Sequence, residues 1–117
     1  MASRNELSTF ENLDRLFNPA SIAIVGVSAV PGGVSFGRNI LLSHIAVGYE
    51  GKLYPVSRSG GSIAGLPVYP SVDDIPGNID YAIIAVPAPF VPGDIEDCLR
   101  KGAAGVAVTS SGFKESG

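Results

Sequence analysis

The sequence of 117 residues predicts an α/β fold: a doubly wound, mainly parallel sheet of about five strands with flanking helices. Three observations predict it. Residues 21–27 (SIAIVGV) and 81–86 (YAIIAV) are short apolar runs without polar alternation, which suits central parallel strands buried on both faces. Segments with apolar residues at helical spacing lie between such runs, and that alternation implies parallel strands joined by right-handed crossovers. Fifteen glycines and nine prolines, about a fifth of the chain against an average of ~12%, cluster between the apolar runs, where such sheets carry ligand loops. The fold class is therefore Rossmann-like.

Taken in order, residues 8–17 read as a short helix, with Phe10, Leu13, Leu16 and Phe17 recurring at helical spacing and Asn18-Pro19 stopping it. The first strand, 21–27, runs into a glycine-rich loop from Ser28 to Gly33. A helix over 35–47 follows, with Phe36, Ile40, Leu41 and Ile45 as its apolar stripe and Gly48 as its cap. Lys52–Val56 is the second strand, and 57–65 (SRSGGSIAG) reads as a second flexible loop. Residues 66–69 read as a short edge-like strand, because proline is tolerated at an edge. Ser71 caps one helical turn, broken by Pro76-Gly77. After the strand 81–86, a helix is marked by Pro92 near its first turn, by Asp94, Glu96 and Asp97, and by a stripe of Ile95, Cys98 and Leu99. Arg100, Lys101 and a capping Gly102 close it. Residues 104–109 are the last strand.

The chain reads as a single domain, residues 1–117, with 1–12 as an N-terminal extension. Its end just past the last strand makes it an expected piece of a larger multidomain protein. A net charge of -3 argues against nucleic acid as a partner, since a phosphate backbone calls for a basic face. No apolar run approaches the ~20 residues of a membrane span. The polar N-terminus lacks the apolar stretch of a secretory signal, and a single cysteine cannot form an internal disulfide, so a cytoplasmic setting is expected.

Four loops follow strand ends, where ligands of open parallel sheets bind. The first, with Gly26, Ser28, Pro31, Gly32 and Gly33, offers close backbone approach and a helix N-terminus suited to a phosphate; the alternative is that its glycines only make a tight turn. The positions two and five beyond Gly26 are Ser28 and Pro31, so the G-x-G-x-x-G dinucleotide fingerprint fails. The second loop follows Val56 and carries Ser57, Arg58 and Ser59, with no acid between Lys52 and Ser71 to hold a ribose 2′-hydroxyl. A cation with hydroxyls suits a phosphate on the ribose, as in coenzyme A or NADP; the alternative is a solvated surface arginine. The third loop, Pro87, Ala88, Pro89 and Phe90, is a stiff wall short of donors, fit to pack on an adenine or a pantetheine arm, or simply to end a strand. The fourth is Ser110-Ser111-Gly112. His44 reads as a helix-surface or core-edge residue and Cys98 as an inert core residue. No nucleophile–base pair, metal-ligand cluster or carboxylate pair in a predicted cleft is visible, and no catalytic or metal-binding residue is assigned.

Residues 16–28 (LFNPASIAIVGVS), 51–56 (GKLYPV), 65–71 (GLPVYPS), 81–90 (YAIIAVPAPF) and 111–113 (SGF) occur in an order that resembles the CoA-binding domain of NDP-forming acyl-CoA synthetases, the group of the succinyl-CoA synthetase α subunit. The resemblance covers residues 13 to 117. It implies coenzyme A as cofactor, with phosphates on the loop from Ser28 to Gly33. Arg58 would stand near the 3′-phosphate. Val86, Pro87 and Pro89 would flank the nucleotide and pantetheine, and Ser110, Ser111 and Gly112 would lie near the thiol. The family often has Asn-Pro-Lys where this chain has Ser57-Arg58-Ser59. The resemblance also implies partners, a nucleotide-grasp domain and a domain with a phosphorylated histidine, on the same or another chain. This segment contains neither and would be inactive alone. A stand-alone CoA-binding or regulatory module and an NADP-binding oxidoreductase domain are the competing readings.

Overall fold

A computed structural model describes residues 13–27 and 36–109. Its main sheet has four parallel strands: β1 (Ser21–Val25), β2 (Lys52–Val56), β5 (Tyr81–Ile84) and β6 (Gly105–Val108), in the order β2-β1-β5-β6. Helix α1 (Phe36–Ala46) links β1 to β2, and α2 (Val91–Arg100) links β5 to β6. Residues 13–17 are helical.

Every residue of β1 is buried, as expected of a central strand covered on both faces. Alternate side chains serve two cores. Ala23, Val25, Ala82 and Ile84 pack with Val91, Ile95 and Cys98 of α2, whereas Ile22 and Ile24 pack with Ile40 and Leu41 of α1. The two helices therefore cover opposite faces, and the sheet is doubly wound. Both helices end on their predicted glycines: the Tyr49 N–H donates to His44 O at 3.0 Å, and the Ala103 N–H donates to Cys98 O at 3.1 Å.

The predicted fifth strand is realised only in part, and the loop 57–65 is not wholly a loop. Its end forms β3 (Ser62–Ile63), which pairs antiparallel with β4 (Leu66–Pro67). The turn between them is Ala64-Gly65, both at positive φ (53° and 82°), as a two-residue hairpin turn of the favoured twist requires. Buried Ile63 and Val68 anchor this hairpin in the α1-side core. Beyond it, Tyr69 makes a single parallel bridge to Val56 at the β2 edge. The turn predicted at Ser71 is a 3-10 turn, Val72–Asp74; the Ser71 hydroxyl donates to Asp74 Oδ2 at 3.0 Å and accepts no capping bond from the backbone.

The N-terminal edge of the sheet is closed by an ion pair. Arg15 Nε donates to Asp80 Oδ1 at 2.8 Å, and its Nη2 donates to the carbonyls of Ile79 and Gly102. The other oxygen of Asp80 accepts the Ala20 N–H at 2.8 Å. Burial pushes the Asp80 carboxyl up, but the bonds from Arg15, Ala20 and Ser21 outweigh it and hold the group below the usual carboxylate range.

Candidate functional site

The chain order defines where a ligand belongs. From β1 the chain moves one way to β2, and later to the other side of β1 for β5. The reversal lies between β1 and β5, and ligands of open α/β sheets bind outside the strand ends at such a point. A cleft of about 470 Å3 opens there, within the usual range for small-ligand sites.

Gly26 sets the close approach of the strands. Its N–H donates to Val56 O at 2.8 Å, and the Ala85 N–H donates to Val25 O at 2.8 Å, so the ends of three strands are tied. A Cβ on Gly26 would lie 2.3 Å from Ala85 O, and one on Gly37 would lie 2.6 Å from Gly26 O. The start of α1 is therefore pressed against the strand end, and both glycines answer to backbone packing at the cleft floor.

From the β2 side come Val56, Ser57 and Arg58. The Ser57 N–H donates to Tyr69 O at 2.9 Å, which fixes the start of the loop. From the β5 side come Val86 and Pro87, followed by a 3-10 turn, Ala88–Phe90. Residues three apart align along a 3-10 turn. Pro87 and Phe90 consequently both line the cleft, while Pro89 does not. The Phe90 ring receives the Arg58 guanidinium, whose central carbon lies 4.6 Å from the ring centroid. At a partly exposed site such a contact contributes about 0.5–1 kcal/mol.

The structure thus brings together Gly26, Val56, Ser57, Arg58, Val86 and Pro87 of the sequence-predicted set. Ser28, Pro31, Gly32, Gly33, Ser110, Ser111 and Gly112 lie outside the described residues. Phe90, from the predicted third-loop wall, also lines the cleft, and Pro70, Ser71, Asp94 and Asp97 line it with no sequence signal that marks them as site residues. The two acids correct the expectation that no carboxylate pair stands in a cleft. Three residues apart, they share one face of α2, and strand order turns that face toward Arg58. Burial pushes the Asp94 carboxyl up, Asp97 adds to the rise, and Arg58 opposes it.

Cys98 is fully buried beneath this face; burial, with Asp94 and Asp97, pushes its thiol up to about 12, so it stays protonated and inert. His44 lies elsewhere, with Nδ1 at 2.8 Å from Ile40 O and its ring edge-on to Tyr49. Among the described residues no group of His, Cys, Asp and Glu could hold a metal ion. No described helix is long and apolar enough to cross a membrane.

The cleft suits a nucleotide-like ligand with a phosphate: among the described residues one cation, Arg58, and two serine hydroxyls, Ser57 and Ser71, line it beside a wall of Val25, Val56, Val72, Val86, Pro87 and Phe90. Comparison with known proteins agrees. The model of the CoA-binding domain family matches residues 17–112. The chain is 46% identical over 110 residues to the ADP-forming acetate–CoA ligase I subunit alpha of Pyrococcus furiosus, covering 91% of this chain and 23% of the relative. It is 43% identical over 109 residues to the ADP-forming acetate–CoA ligase II of Archaeoglobus fulgidus, covering 93% and 16%. A solved structure, the dinucleotide-forming acetyl-coenzyme A synthetase 1 of Ca. Korarchaeum cryptofilum in complex with phosphate and ADP, superimposes with a TM-score of 0.78 at 42% identity, over 86% of this chain and 21% of that one. The chain spans less than a quarter of the length of each of these relatives. It belongs to the CoA-binding domain family, homologous to the ADP-forming acyl-CoA synthetases, and its cofactor is coenzyme A.

Proposed function

We propose that the switch-point cleft holds coenzyme A for an NDP-forming acyl-CoA synthetase, with the 3′-phosphate at Arg58 and the nucleotide along Val86, Pro87 and Phe90. The observation that carries this reading is the convergence of the β1, β2 and β5 ends on one cleft whose described cation is Arg58. When bound, coenzyme A supplies the thiol that becomes acylated. The chain's own residues bind and orient: Arg58 and Ser57 take the phosphate, the apolar wall excludes water from one side of the ligand, and Gly26 keeps the floor low enough for close approach. Ser28 to Gly33 hold the remaining phosphates, and Ser110, Ser111 and Gly112 stand toward the thiol. A nucleotide-grasp domain and a phosphohistidine domain, on the same or a partner chain, complete the enzyme. The setting is cytoplasmic, in keeping with one unpaired, buried cysteine.

Calorimetry with coenzyme A, 3′-dephospho-CoA and NADP tests the reading. Coenzyme A binds more tightly than its dephospho form. Arg58→Ala removes a charge-assisted contact of about 1.5–3 kcal/mol, so coenzyme A affinity falls roughly 10- to 150-fold while dephospho-CoA affinity barely changes. Equal affinity of the unmodified protein for the two coenzymes overturns the role of Arg58, and binding of NADP alone overturns the ligand.

A further inference from the structure

The cleft is built to welcome a phosphate, yet it carries two carboxylates. Asp97 is paired: Arg100 donates to its Oδ1 at 2.5 Å and also reaches Asp73 Oδ2 at 3.4 Å. Asp74 is bonded by Ser71 and belongs to the 3-10 turn across from α2. Asp94 is different. It is half-buried in the cleft lining, and the cation it senses is Arg58, the group assigned to the incoming phosphate. Arg58 itself rests on the Phe90 ring. A phosphate that recruits Arg58 must share it with Asp94 and must bring further negative charge beside a carboxylate that is already half-removed from water.

We propose that Asp94 is a specificity-determining residue of this cleft, a negative gate that weakens phosphate-bearing ligands at Arg58 and makes their binding take up a proton. The proposal rests on the reading that coenzyme A lies here with its 3′-phosphate at Arg58. Among the described residues, the charged and titratable groups facing Asp94 are Arg58 from the loop after β2, Asp97 and Cys98 from its own helix, and Asp73 across from α2 through Arg100. The sign follows from these neighbours. Asp94 has a raised folded-state pKa, so it loses its proton late as pH rises. Above that point it repels the ligand; below it the gate is neutral. The bound phosphate raises the carboxyl further, and this difference between free and bound states is the proton taken up.

The test compares the unmodified protein, Asp94→Asn and Arg58→Ala, by calorimetry with coenzyme A and 3′-dephospho-CoA in two buffers of different ionisation enthalpy, between about pH 5 and 7. The ligand phosphate also titrates, with a pKa of about 6, so the difference between proteins is what counts. Asp94→Asn is expected to tighten coenzyme A about 3- to 10-fold, to change dephospho-CoA less, and to lower the number of protons taken up. Asp97→Asn has a smaller effect, because Arg100 already offsets that charge. Loss of discrimination in Arg58→Ala, with Asp94→Asn leaving coenzyme A affinity and proton uptake unchanged or weakening binding, overturns the gate alone. Failure of the unmodified protein to prefer coenzyme A over its dephospho form overturns the site reading on which the gate rests.

Discussion

Gly26→Ala is expected to cost at least about 3 kcal/mol of stability and to weaken coenzyme A binding in proportion to the distortion it causes. Two effects add. Gly26 has φ of +103°, where an L side chain is strained by about 1–2 kcal/mol. The new Cβ would also lie 2.3 Å from Ala85 O and 2.7 Å from Ala85 C. Those are backbone atoms and they have little room to yield, because the Ala85 N–H is bonded to Val25 O and the Gly26 N–H to Val56 O. Relief therefore means separating strand ends that form the cleft floor. Gly93→Ala is the matched comparison. It lies in α2, where an added Cβ meets nothing within 4 Å, and it should shift stability by no more than about 1 kcal/mol, toward stabilisation. Urea titrations of the three proteins check this; equal midpoints for Gly26→Ala and the unmodified chain would falsify the packing role.

Asp80→Ala carries the second large effect, a loss of about 2–4 kcal/mol. The side chain is only 17% exposed and accepts both from Arg15 Nε and from the Ala20 N–H. Removing it leaves Arg15, which also donates to the carbonyls of Ile79 and Gly102, without its counter-charge. The segment 13–17 then loses its ion pair to Asp80 and keeps the bonds from Arg15 to those two carbonyls. The pH dependence has a definite sign. The folded-state pKa of Asp80 is depressed, so its contribution is present above the unfolded value of about 3.9 and is lost as pH falls through the lower folded value. Unfolding followed from pH 7 into the acid range should show a steeper fall for the unmodified protein than for Asp80→Ala. Parallel curves would mean that the ion pair is idle.

The parts of this fold with dense local signals were legible in the sequence. The β-branched runs around Ile24 and Ile83 announced central strands, and Gly48 and Gly102 marked helix ends. The hairpin at 62–67 was not legible. Its strands have two residues each, and its turn is Ala64-Gly65 rather than the Asn-Gly pair that signals such turns. The Arg15–Asp80 pair joins residues 65 apart in sequence, which no local pattern reveals. In the cleft, Arg58 and Pro87 were found because each follows a strand end. Phe90 rather than Pro89 faces inward because the backbone there takes a three-residue turn, and an extended reading of the loop hides that period. Asp94 and Asp97 stand out in the sequence only for their charge near a helix N-terminus. Their place in the cleft depends on α2 crossing beside β5, which only the strand order fixes.

Coenzyme A is proposed to sit outside the ends of β1, β2 and β5. Amide chemical shifts followed during a coenzyme A titration test that placement most directly. The largest changes are expected at Gly26, Ser57, Arg58, Val86 and Phe90. Changes centred instead on the groove of Tyr49, Leu53, Leu66 and Tyr69 at the β2 edge, with the switch-point residues silent, would contradict it.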